Sequence, residues 1–222
     1  MKIIIPAKSS STRVPDKNWR PFADGKSLTD VKIEQLLTAV SPSDIYLSCD
    51  NTMKETIAHR YGINFMLRKK EYASDATPWP DALHGIVSES DFADDEDVAW
   101  VEVINPLFSD YAALFAKWEN VKHTHDSLVL AAALTKFLIN GKGSPVNFQY
   151  GKWHAMSQQM EPLYAWDSVC VMRKKDLLYF SYPIGRTPYI YVTDEQCVDI
   201  DTMADWELAQ YLYAKKTGRE NK

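Results

Sequence analysis

Between Ala7 and Lys26 (AKSSSTRVPDKNWRPFADGK) the cations Lys8, Arg13, Lys17 and Arg20 stand among Ser9, Ser10, Ser11 and Thr12. Short hydroxyls, backbone N–H groups and several cations can offer a phosphate chain charge-assisted hydrogen bonds. The stretch lacks GxxxxGK[ST] and is not a P-loop, so phosphate binding and a solvated polar loop both stay open on these residues alone. A second group is Asp199-Ile200-Asp201-Thr202. Two carboxylates at i and i+2 on a strand end can hold one Mg²⁺, whose other positions go to water and phosphate oxygens; the alternative is a capping turn with Thr202 as N-cap. Other chemistry-bearing residues read more plainly. His123 and His125 have no third ligand at helical spacing and read as a surface loop. His84 follows Ala82 and Leu83 and reads as structural, the acidic run Asp91 to Asp97 as a solvated loop, and Cys49 as a small buried residue. Trp79, between Pro78 and Pro80, reads as a packed or a stacking ring, and Tyr179, Phe180, Tyr182, Tyr189 and Tyr191 as core or interface.

These residues need elements to hold them. Lys2 to Pro6 (KIIIP) is a continuous apolar, β-branched run, the pattern of a strand covered on both faces. It empties into the cationic loop before Leu28, Val31, Ile33, Leu36 and Leu37 resume at helical spacing. Strands are predicted over Asp44 to Cys49, Ile63 to Leu67 and Asp97 to Ile104, with helices over Thr52 to Tyr61, Ala82 to Ser88 and Tyr111 to Trp118. This alternation predicts an α/β fold with a doubly wound, mostly parallel sheet, whose ligands bind beyond the carboxyl ends of the strands. From Ser127 to Phe180 the alternation blurs: Leu128 to Ala133 and Asp167 to Met172 read as strands, and Gly141 to Met160 shows no period and reads as an arm or insertion. A short strand over Tyr189 to Val192 and an amphipathic helix over Ala204 to Lys215 close the pattern.

The 222 residues fit one large domain, and 45% hydrophobic with 25% charged residues fit a globular core. A net charge of −5 argues against a nucleic-acid coat. Cys49, Cys170 and Cys197 are odd in number and far apart, which fits neither a disulfide framework nor a CxxC site and leads us to expect a reducing, cytoplasmic setting. No run approaches a membrane span or a signal-peptide core.

The order IIIPAKSSSTRVPDKN, IYLSCDN, LRKKEYASDATPWPDALH, VEVINPLF and VDIDTMADWELA resembles the CMP-sugar synthetases, the acylneuraminate cytidylyltransferase family, over nearly the whole chain. The resemblance implies one domain of nucleotidyltransferase (Rossmann-like) type over residues 1–222, a homodimer formed through an arm around residues 135–165, and Mg²⁺-dependent coupling of CTP to a 2-keto-3-deoxy acid sugar with release of pyrophosphate. Pro6-Ala7, Ser11, Arg13, Pro15, Lys17 and Asn18 match the opening motif. By carry-over, Lys8, Ser11, Thr12, Lys17 and Asn18 would meet the nucleotide, with Lys17 on the phosphates and Asn18 on the ribose or base. Arg68 would border the cytosine, which the backbone near Ala73, Asp75 and Thr77 would read. Asp199 and Asp201 would hold the metal, Asp201, Lys17 and Arg13 would act in catalysis, and Glu102 and Asn105 would meet the acceptor.

The departures are specific. Lys8 replaces an arginine, keeping charge without the bidentate fork. Thr12 stands where a lysine touches phosphate. Glu102-Val103-Ile104-Asn105-Pro106-Leu107-Phe108 replaces Gln-Pro-Thr-Ser-Pro-Leu-Arg, and Asp167-Ser168 replaces Asn-Gly. Two other classes compete: a catalytically altered nucleotide-binding or interaction protein of the same fold, and a glycosyltransferase using Asp199 and Asp201 as its DxD.

Overall fold

The run Lys2–Pro6 forms β1, and Ile3, Ile4 and Ile5 are fully buried because each face of the strand is covered. In the computed structural model, which describes residues 1–160 and 162–218, β1 is central. It pairs in parallel with β4 (Ile45–Cys49) on one side and with β6 (Asp97–Val101) on the other. A hairpin of β2 (Pro21–Ala23) and β3 (Lys26–Ser27) follows the cationic loop and leads into α1 (Leu28–Leu37). The helix α2 (Glu55–Tyr61) precedes β5 (Asn64–Leu67), and α3 (Trp79–Ser88) precedes β6. Beyond α4 (Tyr111–Val121) come β7 (Ser127–Leu134), β8 (Leu163–Arg173), α5 (Lys174–Phe180), β9 (Pro188–Thr193) and α6 (Met203–Lys216).

The seven-stranded sheet runs β5-β4-β1-β6-β8-β7-β9. All its pairings are parallel except those of β8, which is antiparallel to both β6 and β7. Successive side chains of a strand point to opposite faces, so Ile3 and Ile5 enter one core with Leu28, Leu36, Phe108 and Trp118, while Ile4 enters the other with Leu83, Val87, Val98 and Met172. This is the expected doubly wound α/β architecture.

Several elements differ from the sequence reading. The strand expected to run to Ile104 stops at Val101, where the chain turns to place Glu102 and Ile104 at the strand end. The helix expected from Thr52 opens as a 3₁₀ turn over Thr52–Lys54, with the Asn51 side chain accepting from the Met53 N–H. Gly62, at φ +67°, closes α2 in the left-handed conformation that glycine adopts without a Cβ clash. The hairpin β2–β3 and α5 went unread because each is short. Between β7 and β8 the chain makes a loop with its own aromatic cluster, Phe137, Phe148, Tyr150 and His154, pinned by Asn147 to the backbone at Lys136 and Leu138. Residue 161, inside the expected arm, lies outside the described residues. No described helix is long and apolar enough to cross a membrane.

One buried charge-bearing group joins this fold to the strand end. Lys32, fully buried on α1, donates to the Asn105 carbonyl at 2.7 Å and to the Tyr111 hydroxyl at 2.6 Å. Burial lowers its pKa from 10.5 to about 7. Between those values the unfolded chain binds a proton that the folded one does not, so stability rises with pH across this window, by about 1.4 kcal/mol per pH unit at most. Urea unfolding of the protein and of Lys32→Met between pH 7.5 and 9.5 should show the wild type gaining on the variant at about that slope. Parallel pH profiles would mean that Lys32 is charged in the fold.

Candidate active site

The carboxyl ends of β1 and β6 open onto a cleft of about 510 Å³. The loop after β1 forms one wall, and local bonds set its shape: Lys17 N–H donates to the Val14 carbonyl, and Trp19 and Arg20 N–H groups donate to the Asp16 carbonyl. Val14 is fully buried and anchors the turn. Asn18 Nδ2 and Trp19 Nε1 both donate to the Lys8 carbonyl, at 3.1 and 2.9 Å. The loop is then held from two sides. Ser9 donates its backbone N–H and its hydroxyl to Asp50 at the end of β4, each at 2.7 Å. Opposite, Arg13 donates to Asp201 at 2.7 Å, and Lys17 donates to the Ile200 carbonyl at 2.5 Å with its ammonium 3.6 Å from Asp201.

The second wall is the segment after β5. A 3₁₀ turn over Lys70–Ala73 and the Thr77 hydroxyl, which donates to the Glu71 carbonyl at 2.6 Å, shape it. Lys8 crosses the mouth to pair with Asp75, whose carboxyl it holds below the usual range. Arg68 is buried, and its Nε and Nη2 have no hydrogen-bond partner among the described residues. Burial lowers its pKa, with Asp50 opposing that shift. An orphaned, buried guanidinium in a cleft wall is a donor set waiting for an acceptor.

The floor carries the acids. Burial raises the Asp199 carboxyl, and the neighbouring Asp201 raises it further. Ile200 is fully buried and its N–H donates to the Ile104 carbonyl, which fixes the two aspartates on the cleft side. The capping turn is also present: Thr202 and Asp205 form a capping box on α6. The two readings of DIDT therefore coexist, because Thr202 caps the helix while Asp199 and Asp201 line the cleft. Among the described residues no group of three or more His, Cys, Asp and Glu side chains could hold a metal. What stands here is a carboxylate pair with like-charge strain, a donor set of the hard-oxygen kind that Mg²⁺ takes together with phosphate oxygens.

Of the residues expected from the sequence, Lys8, Arg13, Lys17, Asn18, Arg68, Ala73, Asp75, Thr77, Glu102, Asp199 and Asp201 all line this one cleft. Ser11 and Thr12 do not; Thr12 is exposed on the outer bend of the loop. Asn105 does not line it either. It is fully buried, its Oδ1 accepting from the Leu107 and Phe108 N–H groups and its Nδ2 donating to Asp167 at 2.9 Å, so its role is to shape the strand end and orient Asp167.

A smaller cavity of about 230 Å³ adjoins the cleft, and Trp79, Trp100, Glu102, Ile104 and Asp199 line both. Its other walls are Trp166, Asp167, Ser168 and Cys170. The sequence marked Asp167-Ser168 only as a departure from a family motif on β8 and did not mark Trp166 at all, so neither was expected in the site. Tyr182, from the aromatic cluster, packs on Trp79 and Trp166 with ring centroids 5.5 and 5.9 Å apart. His84 bonds Ser181, and His125 packs on Tyr189. Glu102 Oε1 accepts both the Trp79 and Trp100 indole N–H groups, at 3.2 and 3.1 Å. Burial raises the Glu102 carboxyl and these two bonds oppose that shift. Trp79→Phe, which keeps a ring and removes one N–H, should therefore raise the Glu102 pKa further. ¹³C NMR titration of the Glu102 carboxyl checks this, and an unchanged or lower midpoint would contradict it.

Residues 2–109 match the family model described as Cytidylyltransferase. N-acylneuraminate cytidylyltransferase of Streptococcus agalactiae serotype III (strain NEM316) is 26% identical over 212 residues, covering 91% of this chain and 51% of that protein. The chain thus spans about half the length of that relative. CMP-N,N'-diacetyllegionaminic acid synthase of Legionella pneumophila is 25% identical over 227 residues, covering 94% of each chain. In fold, the chain is similar to CMP:2-keto-3-deoxy-manno-octonic acid synthetase, solved with CTP, at a TM-score of 0.65 and 16% identity over 97% of this chain and 98% of that one. These matches bear out the resemblance to the CMP-sugar synthetase family that the motifs carry, and the sheet is of nucleotidyltransferase type.

Proposed function

We propose that this chain is a cytidylyltransferase that transfers CMP from CTP to a small sugar-acid acceptor and releases pyrophosphate, with Mg²⁺. The observation that carries the reading is the convergence of three distant segments, residues 8–18, 68–77 and 199–201, on one cleft at the ends of β1 and β6. Lys8, Arg13 and Lys17 supply the positive charge that a triphosphate needs. Each is now satisfied by Asp75, Asp201 or the Ile200 carbonyl, partners that phosphate oxygens can replace. Arg68, with two unpartnered buried nitrogens, supports recognition of an acceptor-rich base edge such as the O2 and N3 side of cytosine. Asn18 and the backbone from Ala73 to Thr77 complete that wall.

The strained pair Asp199 and Asp201 fits Mg²⁺, which when bound supplies positive charge to the phosphate oxygens. The acceptor hydroxyl oxygen attacks the α-phosphorus of CTP, the bond to the β-phosphate oxygen breaks, pyrophosphate leaves, and the hydroxyl proton passes to solvent or a cleft carboxylate. Such displacements depend mostly on positioning and charge stabilisation, which the cations around the cleft provide. The acceptor enters from the smaller cavity, because Glu102 and Asp199 stand on the boundary between the two.

The working form is a homodimer. Large apolar side chains are exposed on the segment between β7 and β8 and on the adjoining strand, among them Ile139, Trp153, Met156 and Tyr164. A second copy of the chain covers them. The three free cysteines, two buried and one half-buried, suit a reducing cytoplasm.

Calorimetric titration with CTP, UTP, ATP and GTP in the presence of Mg²⁺ tests the nucleotide assignment. CTP should bind at least about tenfold more tightly than the others, a difference of about 1.4 kcal/mol; equal affinity for all four would overturn it. Asp201→Ala should lower CTP turnover about a hundredfold or more while circular dichroism stays unchanged. A variant with wild-type turnover under limiting Mg²⁺ would reduce the carboxylate pair to a helix-capping turn. Light scattering at micromolar concentration should give twice the 25.4 kDa chain mass, and a monomer mass would overturn the dimer.

A further inference from the structure

The acceptor-side cavity combines features that the nucleotide cleft does not share. Three tryptophans form its walls: Trp79 meets Trp100 and Trp166 nearly edge to face, with centroids 6.3 and 5.6 Å apart. Two carboxylates, Glu102 and Asp167, stand among them, and Asp199 marks the border with the cleft. Among the described residues, no Lys, Arg or His lines it.

Most donors of its walls are also spent within the walls. The Trp79 and Trp100 N–H groups go to Glu102. The Ser168 hydroxyl and N–H both go to Asp167 Oδ1 at 2.6 Å, where Asn105 Nδ2 adds a third bond. What remains toward a ligand is carboxylate oxygen and aromatic surface. A free acid placed here would meet like charge. An organic cation meets both attractions that such a wall offers, carboxylate charge and the negative faces of indole rings within about 6 Å.

From this cavity we infer that the acceptor carries an organic ammonium group, held between the tryptophan walls and the Glu102 and Asp167 carboxylates. The inference rests on the proposed function for the word acceptor, and it divides the substrate. The ammonium group enters the cavity, and the rest of the acceptor lies toward the adjoining cleft.

The test uses the full chain, tryptophan fluorescence and calorimetry, and a matched pair of probes: choline and its uncharged isostere 3,3-dimethyl-1-butanol, with ethanolamine as a third. Choline or ethanolamine should bind at least about tenfold more tightly than the neutral alcohol, and the better of the two tells an alkylated from a primary ammonium. Trp166→Ala should weaken binding of that cation about fivefold or more, and Glu102→Gln should do the same while retaining shape. Circular dichroism and urea unfolding of each variant serve as the control for folding. Equal binding of the charged and neutral probes, no binding of either cation, or a Trp166→Ala variant with wild-type cation affinity would overturn the inference. Cation selectivity in a protein that fails to bind CTP would leave the inference standing and overturn the nucleotide assignment instead.

Discussion

The site depends on how one loop is held open against its own charge. Residues 7–20 bring Lys8, Arg13 and Lys17 to the end of β1, and three cations close together repel one another unless anions are interleaved. The fold interleaves them from distant parts of the chain: Asp75 from the segment after β5, and Asp201 with the Ile200 carbonyl from the approach to α6. Asp50 pins the start of the loop through Ser9. Burial would push the Asp50 carboxyl up, but the Ser9 bonds, together with its own backbone N–H and the Arg68 charge, hold it below its usual value. A loop anchored at both ends with exchangeable partners in between has little left to reorganise when a polyanion arrives.

The sheet explains why these segments meet. Strands β1, β4 and β6 are parallel neighbours, so the loops that follow them emerge on one edge. The last anchor comes from much further along the chain, and the sheet alone does not supply it. Ile200, fully buried and bonded through its N–H to the Ile104 carbonyl, ties the C-terminal segment to the end of the β6 loop. Behind that tie sits Lys32, bonded to the carbonyl of Asn105, so the strand end that separates the two cavities is held from within the core.

Legibility in the sequence followed the strength of the local signal. β1, β4 and β6 are short runs dominated by apolar and β-branched or aromatic residues, and the structure places strands there. The cationic loop and the two aspartates were legible as residue types, and the family motifs supplied their register. Ser11 and Thr12 do not line the cleft, since a motif gives chain order and not the side of a bend on which a side chain falls. Asn105 stays out of the cleft lining for a related reason: its amide is consumed by the turn it shapes, which only the three-dimensional bonds reveal. Trp166 and Asp167 were missed because β8 runs antiparallel to its neighbours, and no alternation pattern indicates which residues of such a strand reach the cleft.

The central claim is that Lys17 exchanges Asp201 and the Ile200 carbonyl for phosphate when nucleotide enters. Metal-free CTP affinity, measured by calorimetry on the wild type, Asp201→Asn and Lys17→Met, tests it most directly. Removing the competing carboxylate should leave affinity unchanged or tighter, whereas removing the ammonium should weaken it at least about tenfold. Lys17→Met binding CTP as tightly as the wild type, or Asp201→Asn losing metal-free affinity, would contradict the account.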